Sequence, residues 1–384
     1  MSKSARQQLD RDGEPMEPAV RQFERSGRQL KLAVGQFKRS GLLLKRAVGQ
    51  CERSGRLLKR AVCGVAAILA VGVLPLESLE SLLSVQLMQP AYAWYDFGHE
   101  VVACIAWRQL RPETKARAMQ LLEKNPYFQK WVDAVPADVS GDERNMWIFA
   151  QAATWADDIK KDRHYVADGA EKGNKPDGPQ CAENLGYSDF KLHKYWHYND
   201  TPFTSDHSKL PPYVEPNAQT QIRAFREVLG ASGKSDDLKS YDLVWLLHLV
   251  GDVHQPLHCV TRVTSADLNG DKGGNDCKLK GAPDNLHSVW DGIVGDDRAL
   301  KPAIEFAKTL PDLKTGASRK SDEKIWIKES YKLAKSAAYA KPVGKTNGPW
   351  QLTEAYKARA RKIGLERVEL AGARLANLLN SELK

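Results

Sequence analysis

The sequence predicts an all-α fold, a single mainly helical domain over residues 94–384. Three observations point there. Few β-branched alternating runs follow residue 93, the periodic apolar stretches have helical spacing, and prolines such as Pro112 and Pro256 stand where helices would start or stop.

Taken in order, the stretch from Gly98 to Leu110 reads as a first helix, with His99 near its N-terminal end. Pro112 opens a second helix, through about Lys124, because the first helical turn needs no amide donor. Met146 to Lys160 reads as a third, with Ala and Trp on its packed face and Asp157 near its C-terminal end. Residues 162–191 are rich in Gly, Asp, Lys and Pro and mark a long surface loop of the kind that often forms a functional rim. Asn217 to Leu229 and Tyr241 to His254 are the next helices, followed by the glycine-rich turn from Gly270 to Asn275 and a short helix from Leu286 to Ile293. Beyond Pro302 the helices end in a long amphipathic one, Leu352 to Leu379, assigned to packing with its Lys, Arg and Glu on a solvated face.

The formal charge of +9 is unevenly placed: residues 1–93 hold 15 of the 57 Lys and Arg and 8 of the 48 Asp and Glu, which leaves a net +2 for the rest. A basic surface therefore belongs mostly to the leader. Residues 1–60 carry a fourteen-residue repeat (Ala19-Val20 to Arg25-Ser26-Gly27, then again from Ala33 and Ala47), with too few large apolar residues to bury a core, and read as a weakly ordered basic leader. Lys59-Arg60, the apolar run from Ala61 to Leu76 and the small-x-small site at Ala91-Tyr-Ala93 make residues 61–93 a signal-peptide-like segment. Cleavage near Ala93 would place the domain outside the cytoplasm, secreted or periplasmic, without stable membrane insertion.

Cysteine usage agrees with export, because Cys104, Cys181, Cys259 and Cys277 are an even set that allows three pairings. The favoured bridge is Cys259 with Cys277, which would pin the loop between the two segments richest in histidine.

All nine His and all ten Trp lie at or after Trp94, so chemistry and core are confined to this domain. His248 and Asp252 are four apart on an apolar helix and share a face, Pro256 breaks that helix, and His258 approaches from another direction. His287 and Asp291 repeat the spacing; Asp157 in Trp-Ala-Asp and His197 in Trp-His add further candidates. Nitrogen and oxygen donors without thiolates suit catalytic zinc. If cleavage follows Ala93, the α-amino group and carbonyl of Trp94 can chelate a metal, and His99 stands five residues on. His193 and His254 have no matching partner and are assigned no metal.

The ordered set Trp-x4-His, Trp-Ala-Asp, Trp-His, His-x3-Asp-x5-His and His-x3-Asp closely resembles the zinc-dependent single-strand nuclease and 3′-nucleotidase family, the nuclease S-one/P-one type. The resemblance implies the helical fold shared by zinc phospholipases C and single-strand nucleases, and three Zn2+ per chain: Asp157, His197, His248 and Asp252 on the first, His258, His287 and Asp291 on the second, Trp94 and His99 on the third, with Asp252 bridging. It implies a secreted monomeric endonuclease, hydrolysing single-stranded DNA and RNA to 5′-phosphate products and removing phosphate from 3′-nucleotides. Asp157 and Asp252 would then be catalytic and Tyr198 an aromatic that stacks on an unpaired base; Lys160, three residues beyond Asp157 and so on a nearby helix face, reads as a catalytic phosphate contact.

Two departures stand out: the repeated basic leader, and the long segment between Asp157 and His197. The nearest rival, a zinc phospholipase C of related fold, ends its last motif in His-x3-Glu where this chain has His-x3-Asp, and a non-catalytic metal-binding protein would need a metal site closed to solvent.

Overall fold

A computed structural model describes residues 94–168 and 187–383. The repeats, the signal-like segment and Cys181 lie outside the described residues.

Two helices that are apolar on every side form the centre. The first, α1 (Asp96–Gln109), is buried without interruption from Phe97 to Trp107. Pro112 starts α2 (Pro112–Leu122), and α3 (Phe128–Asp133), α4 (Gly141–Ala152) and the single turn α5 (Trp155–Asp158) follow. Beyond the loop come α6 (Ala218–Gly230), begun by an Asn217–Thr220 capping box, and α7 (Asp236–Asp252), capped by the Ser235 hydroxyl. Every residue of α7 from Lys239 to Asp252 is buried. Such all-round burial is what a helix lacking a polar face needs. Its flanks are covered by α6 and α2, while α9 (Leu300–Lys308) and the long α11 (Glu354–Glu382) pack on α1. Gly372 of α11 lies against α1 so closely that a Cβ would sit 2.5 Å from a methyl of Ile105.

The short α8 (Leu286–Asp291) and α10 (Glu323–Leu333) complete the helical order. A two-stranded parallel ribbon interrupts it, β1 (Pro202–Thr204) paired with β2 (Thr261–Val263), Pro202 opposite Thr261. Hydrogen bonds from Asn199 N to His258 O (2.7 Å) and from Thr261 N to Thr201 O (3.0 Å) extend this pairing, so the chain after His197 runs beside the chain after His258.

Three expectations are corrected. The helix read from Met146 to Lys160 breaks between α4 and α5. The Ala153 carbonyl accepts from His248 Nδ1 (2.8 Å), and the Ala153 and Thr154 amides turn back to Ala150 and Gln151. The broken turn is held by Trp155, whose ring meets Tyr165, Tyr187, Tyr241 and Trp245 edge-on at 5.8–6.1 Å between centroids.

Second, α11 is not merely solvated on its charged side. Arg367 and Arg374 are buried and share Glu329 of α10; Arg367 Nε donates to the His254 carbonyl (3.0 Å) and Arg374 donates to His254 Nε2 (2.9 Å). Third, Cys259 and Cys277 are free and buried, as is Cys104. The Cys259 thiol donates to the Val253 carbonyl (3.3 Å), and the two cysteines belong to different apolar clusters.

Candidate metal centre and cleft

The central helices bring His99 from α1 and His248 and Asp252 from α7 to one point, because Gly251 has no side chain. A Cβ there would lie 2.8 Å from His99 Nδ1. His99 stacks on His248 with ring centroids 3.8 Å apart, and its Nε2 reaches Asp252 Oδ1 at 3.3 Å. The α4–α5 break carries Asp157 to the same place, 3.8 Å from His248 Nε2. A 3-10 turn (Lys194–His197) delivers His197, whose Nδ1 lies 3.0 Å from His248 Nε2 and 3.1 Å from Asp252 Oδ2.

Past Pro256, a second 3-10 turn (Pro256–Cys259) presents His258, and α8 presents His287 and Asp291. The Nε2 atoms of His258 and His287 are 3.1 Å apart, with Asp291 oxygens at 3.7 and 3.6 Å. Asp252 Oδ1 lies 3.9 Å from His258 Nδ1 and joins the two clusters. Three groups of donors result, each confined within 4.8 Å: His99, Asp157 and His248; His197, His248 and Asp252; His258, His287 and Asp291.

This donor set fits metal ions. The Nδ1 atoms of His258 and His287 lie 2.7 Å from backbone carbonyls, of His197 and Gly273 respectively, so each donates there and presents a lone pair at Nε2. Two lone pairs facing at 3.1 Å repel unless a cation lies between them. Carbonyls that fix ligand tautomers in this way are a habit of metal sites. Buried atoms without a hydrogen-bond partner include His197 Nε2, Asp157 Oδ2, Asp252 Oδ1 and Asp291 Oδ2. Burial pushes His99 down to about 4 and His197 and His248 well below the usual imidazole range, leaving neutral bases. Burial likewise pushes Asp252 well up and Asp291 up to about 7, which a neighbouring dication would reverse.

Trp94 is wholly buried; its indole donates to the Gly251 carbonyl (3.0 Å) and the following amide, of Tyr95, to the Asp291 carbonyl (3.2 Å). The chain at Trp94 and Tyr95 is thereby tied to α7 through Gly251 and to α8 through Asp291. Lys160 lies 2.5 Å from Asp157; burial alone would raise that carboxyl, but the ammonium and nearby imidazoles hold it below the usual range.

Beside these groups opens a cleft of about 350 Å³, lined by Lys160, Lys194, His197, Tyr198, Asp200, Leu257, His258, Lys272, Asn275 and His287. Tyr198 and Lys160 thus face the same space as the ligands. Sequence reasoning missed Lys194, Asp200, Lys272 and Asn275 as cleft residues, and Gln255, which donates to Asp291 Oδ1 (2.7 Å). The glycine-rich turn was the available signal: Lys272 and Asn275 sit on it, and Gly273, at φ +62° where a Cβ would strike Leu257 O at 2.3 Å, supplies the carbonyl that orients His287.

The two spare histidines fall in none of the three groups. His254 is enclosed by Arg367 and Arg374. His193, also wholly buried, lies between Asp168 (Nδ1, 2.8 Å) and Asp189 (Nε2, 3.1 Å), with the Tyr195 hydroxyl 3.3 Å away and Trp196 stacked on its ring. Burial would lower His193, but the bonds to Asp168 and Asp189 carry it above 6.5. A raised imidazole stabilises fully below the unfolded value, about 6.5, and that contribution is lost as pH rises through the folded value. Replacing His193 by Asn should therefore cost about 2–3 kcal/mol near pH 5.5 and progressively less at alkaline pH. Urea midpoints of both proteins across pH 5–9 check this; a constant difference would refute it.

A model of the family described as S1/P1 Nuclease matches residues 94–384. The chain is 24% identical over 245 residues to Nuclease S1 of Aspergillus oryzae, covering 61% of this chain and 66% of that protein. It is 27% identical over 236 residues to Endonuclease 4 of Arabidopsis thaliana, covering 60% and 64%, and 24% identical over 307 residues to Endonuclease 2 of the same plant, covering 75% and 90%. The matched stretch thus spans just under two thirds of the first two relatives.

Proposed function

The chain belongs to the S1/P1 nuclease family, and from that premise we propose that it is a zinc-dependent endonuclease hydrolysing phosphodiester bonds of single-stranded DNA and RNA. Water adds at phosphorus and the bond to the 3′-oxygen breaks, leaving a 5′-phosphate on one product and a 3′-hydroxyl on the other. The same site would hydrolyse 3′-nucleotides. The observation that carries this reading is the triple cluster of neutral imidazoles and carboxylates at the side of an open cleft.

Three zinc ions would be held as follows: one by Asp157, His197, His248 and Asp252, one by His258, His287 and Asp291, and one by His99, Asp252 and the amino group and carbonyl of Trp94. Zinc there supplies Lewis acidity, lowering the pKa of water and neutralising charge that develops on phosphate oxygens.

The chain's own groups do the rest. Lys160, tied to Asp157 and lining the cleft, offers a cation to a phosphate oxygen while fixing the Asp157 carboxylate. Tyr198 gives an unpaired base a surface to stack on, an interaction worth about 1–3 kcal/mol and tolerant of sequence. A duplex hides its base faces, hence the preference for single strands. Gln255 and the carbonyls of Ala153, His197 and Gly273 hold the ligands in orientation.

The amino-group ligand requires cleavage near Ala93, so the active form would be an exported monomer, secreted or periplasmic. No helix among the described residues is long and apolar enough to cross a membrane.

The test is hydrolysis by purified protein beginning at Trp94, offered single-stranded DNA, RNA and phosphatidylcholine, with zinc quantified in the same sample. Cleavage of both nucleic acids, abolished by a chelator and restored by zinc, is the expected result. Turnover of phosphatidylcholine alone would replace this reading with a phospholipase.

A further inference from the structure

Next to the cleft lies a stretch that the proposed chemistry leaves unused, Leu210-Pro-Pro-Tyr213-Val214. It is apolar yet outside: Leu210 is 43% exposed, Tyr213 41% and Val214 52%, three of the few large apolar side chains the described residues leave in water. One such residue would mean nothing; three within five positions form a ledge.

The ledge is rigid. The Tyr213 hydroxyl is tied to Asn199 Nδ2, and the carbonyl of Val214 accepts from Asn217 Nδ2 (2.8 Å). Both asparagines are buried, and they face one another, Asn199 Nδ2 lying 3.4 Å from Asn217 Oδ1. Between them Pro211 and Pro212 restrict the backbone. Tyr213 therefore has its polar end fixed inside and its ring turned partly to solvent. An aromatic whose conformational freedom is already spent makes a good contact surface, because binding does not have to order it.

The ledge is also continuous with the cleft. Asn199, which holds the Tyr213 hydroxyl, stands between Tyr198 and Asp200, both cleft residues, and its amide donates to the carbonyl of His258. The Tyr198 carbonyl in turn accepts from the amide of Ala218, one residue past Asn217. One short run of chain thus supports an aromatic in the cleft and another just outside it.

We propose that Tyr213 is a second stacking platform, which receives an unpaired nucleobase of a strand that extends beyond the nucleotides held in the cleft. The proposal rests on the nuclease reading above and adds to it a subsite for longer strands. Stacking on a tyrosine face recognises any base, so the subsite favours length over sequence.

The experiment compares a single-stranded decanucleotide with a dinucleotide, using the zinc-loaded protein and its Tyr213→Ala and Tyr213→Phe variants. The expected result is a ratio of decanucleotide KM to dinucleotide KM that rises roughly tenfold in the Ala variant, with kcat on the decanucleotide within about twofold, and that returns most of the way in the Phe variant, which keeps the ring. An unchanged ratio overturns the proposal. So does an equal rise in KM for both substrates, which would mean that Tyr213 acts only by propping Asn199 against the cleft. If the unmodified protein cleaves neither substrate, the nuclease reading itself has failed; if it cleaves both and the variants keep its ratio, the platform alone has.

Discussion

Replacing Asp252 by Asn should abolish hydrolysis, with kcat/KM falling at least roughly a thousandfold, about 4 kcal/mol of transition-state stabilisation. Asp252 is in reach of four imidazoles, His99, His197, His248 and His258, through its two oxygens. An amide of the same shape keeps the volume but removes the negative charge and gives one end of the group to N–H donors. Lone pairs of neutral imidazoles would then face an N–H in place of a shared cation. Two measurements separate this from simple misfolding: circular dichroism should keep its helical signal, and bound zinc should drop by at least one atom per chain. Full activity with full zinc would contradict the bridging role.

Leaving one extra residue ahead of Trp94 should lower activity at least roughly a hundredfold and remove one zinc, because it converts a basic amine into an amide that no longer ligates. The geometry makes the position unforgiving. Trp94 is wholly buried, its indole bonded to Gly251, and a Cβ on Gly98 would lie 2.8 Å from Trp94 Cβ. An added residue has no room to let the tryptophan slide. Elemental analysis beside the kinetic assay decides the matter, and normal turnover with the extra residue in place refutes the amine ligand.

Much of the fold could be read from the chain because its strongest signals are long. The apolar run ahead of His248 is a helix wherever it lies, and spacing of four put His248 beside Asp252 and His287 beside Asp291 on shared faces. What stayed hidden depends on partners distant in sequence. The break at Ala153 exists because an imidazole ninety-five residues away takes its carbonyl. The carbonyl of His197 behind His258 leaves no trace in residue type, whereas the one behind His287 is marked only by the glycine that carries it, Gly273. Arg367 and Arg374 look like surface residues until Glu329 and His254 appear across from them. The cysteines misled for the opposite reason: their number suggested a bridge, while burial in separate clusters keeps Cys259 and Cys277 apart.

The hold that α11 has on His254 has a bearing on biogenesis. Arg367 and Arg374 grip the turn immediately after Asp252, yet they are translated more than a hundred residues later. The corner that carries the chain from Asp252 to His258 is therefore seated by side chains of the last helix, so a polypeptide cut short before Arg367 would lack the groups that hold it.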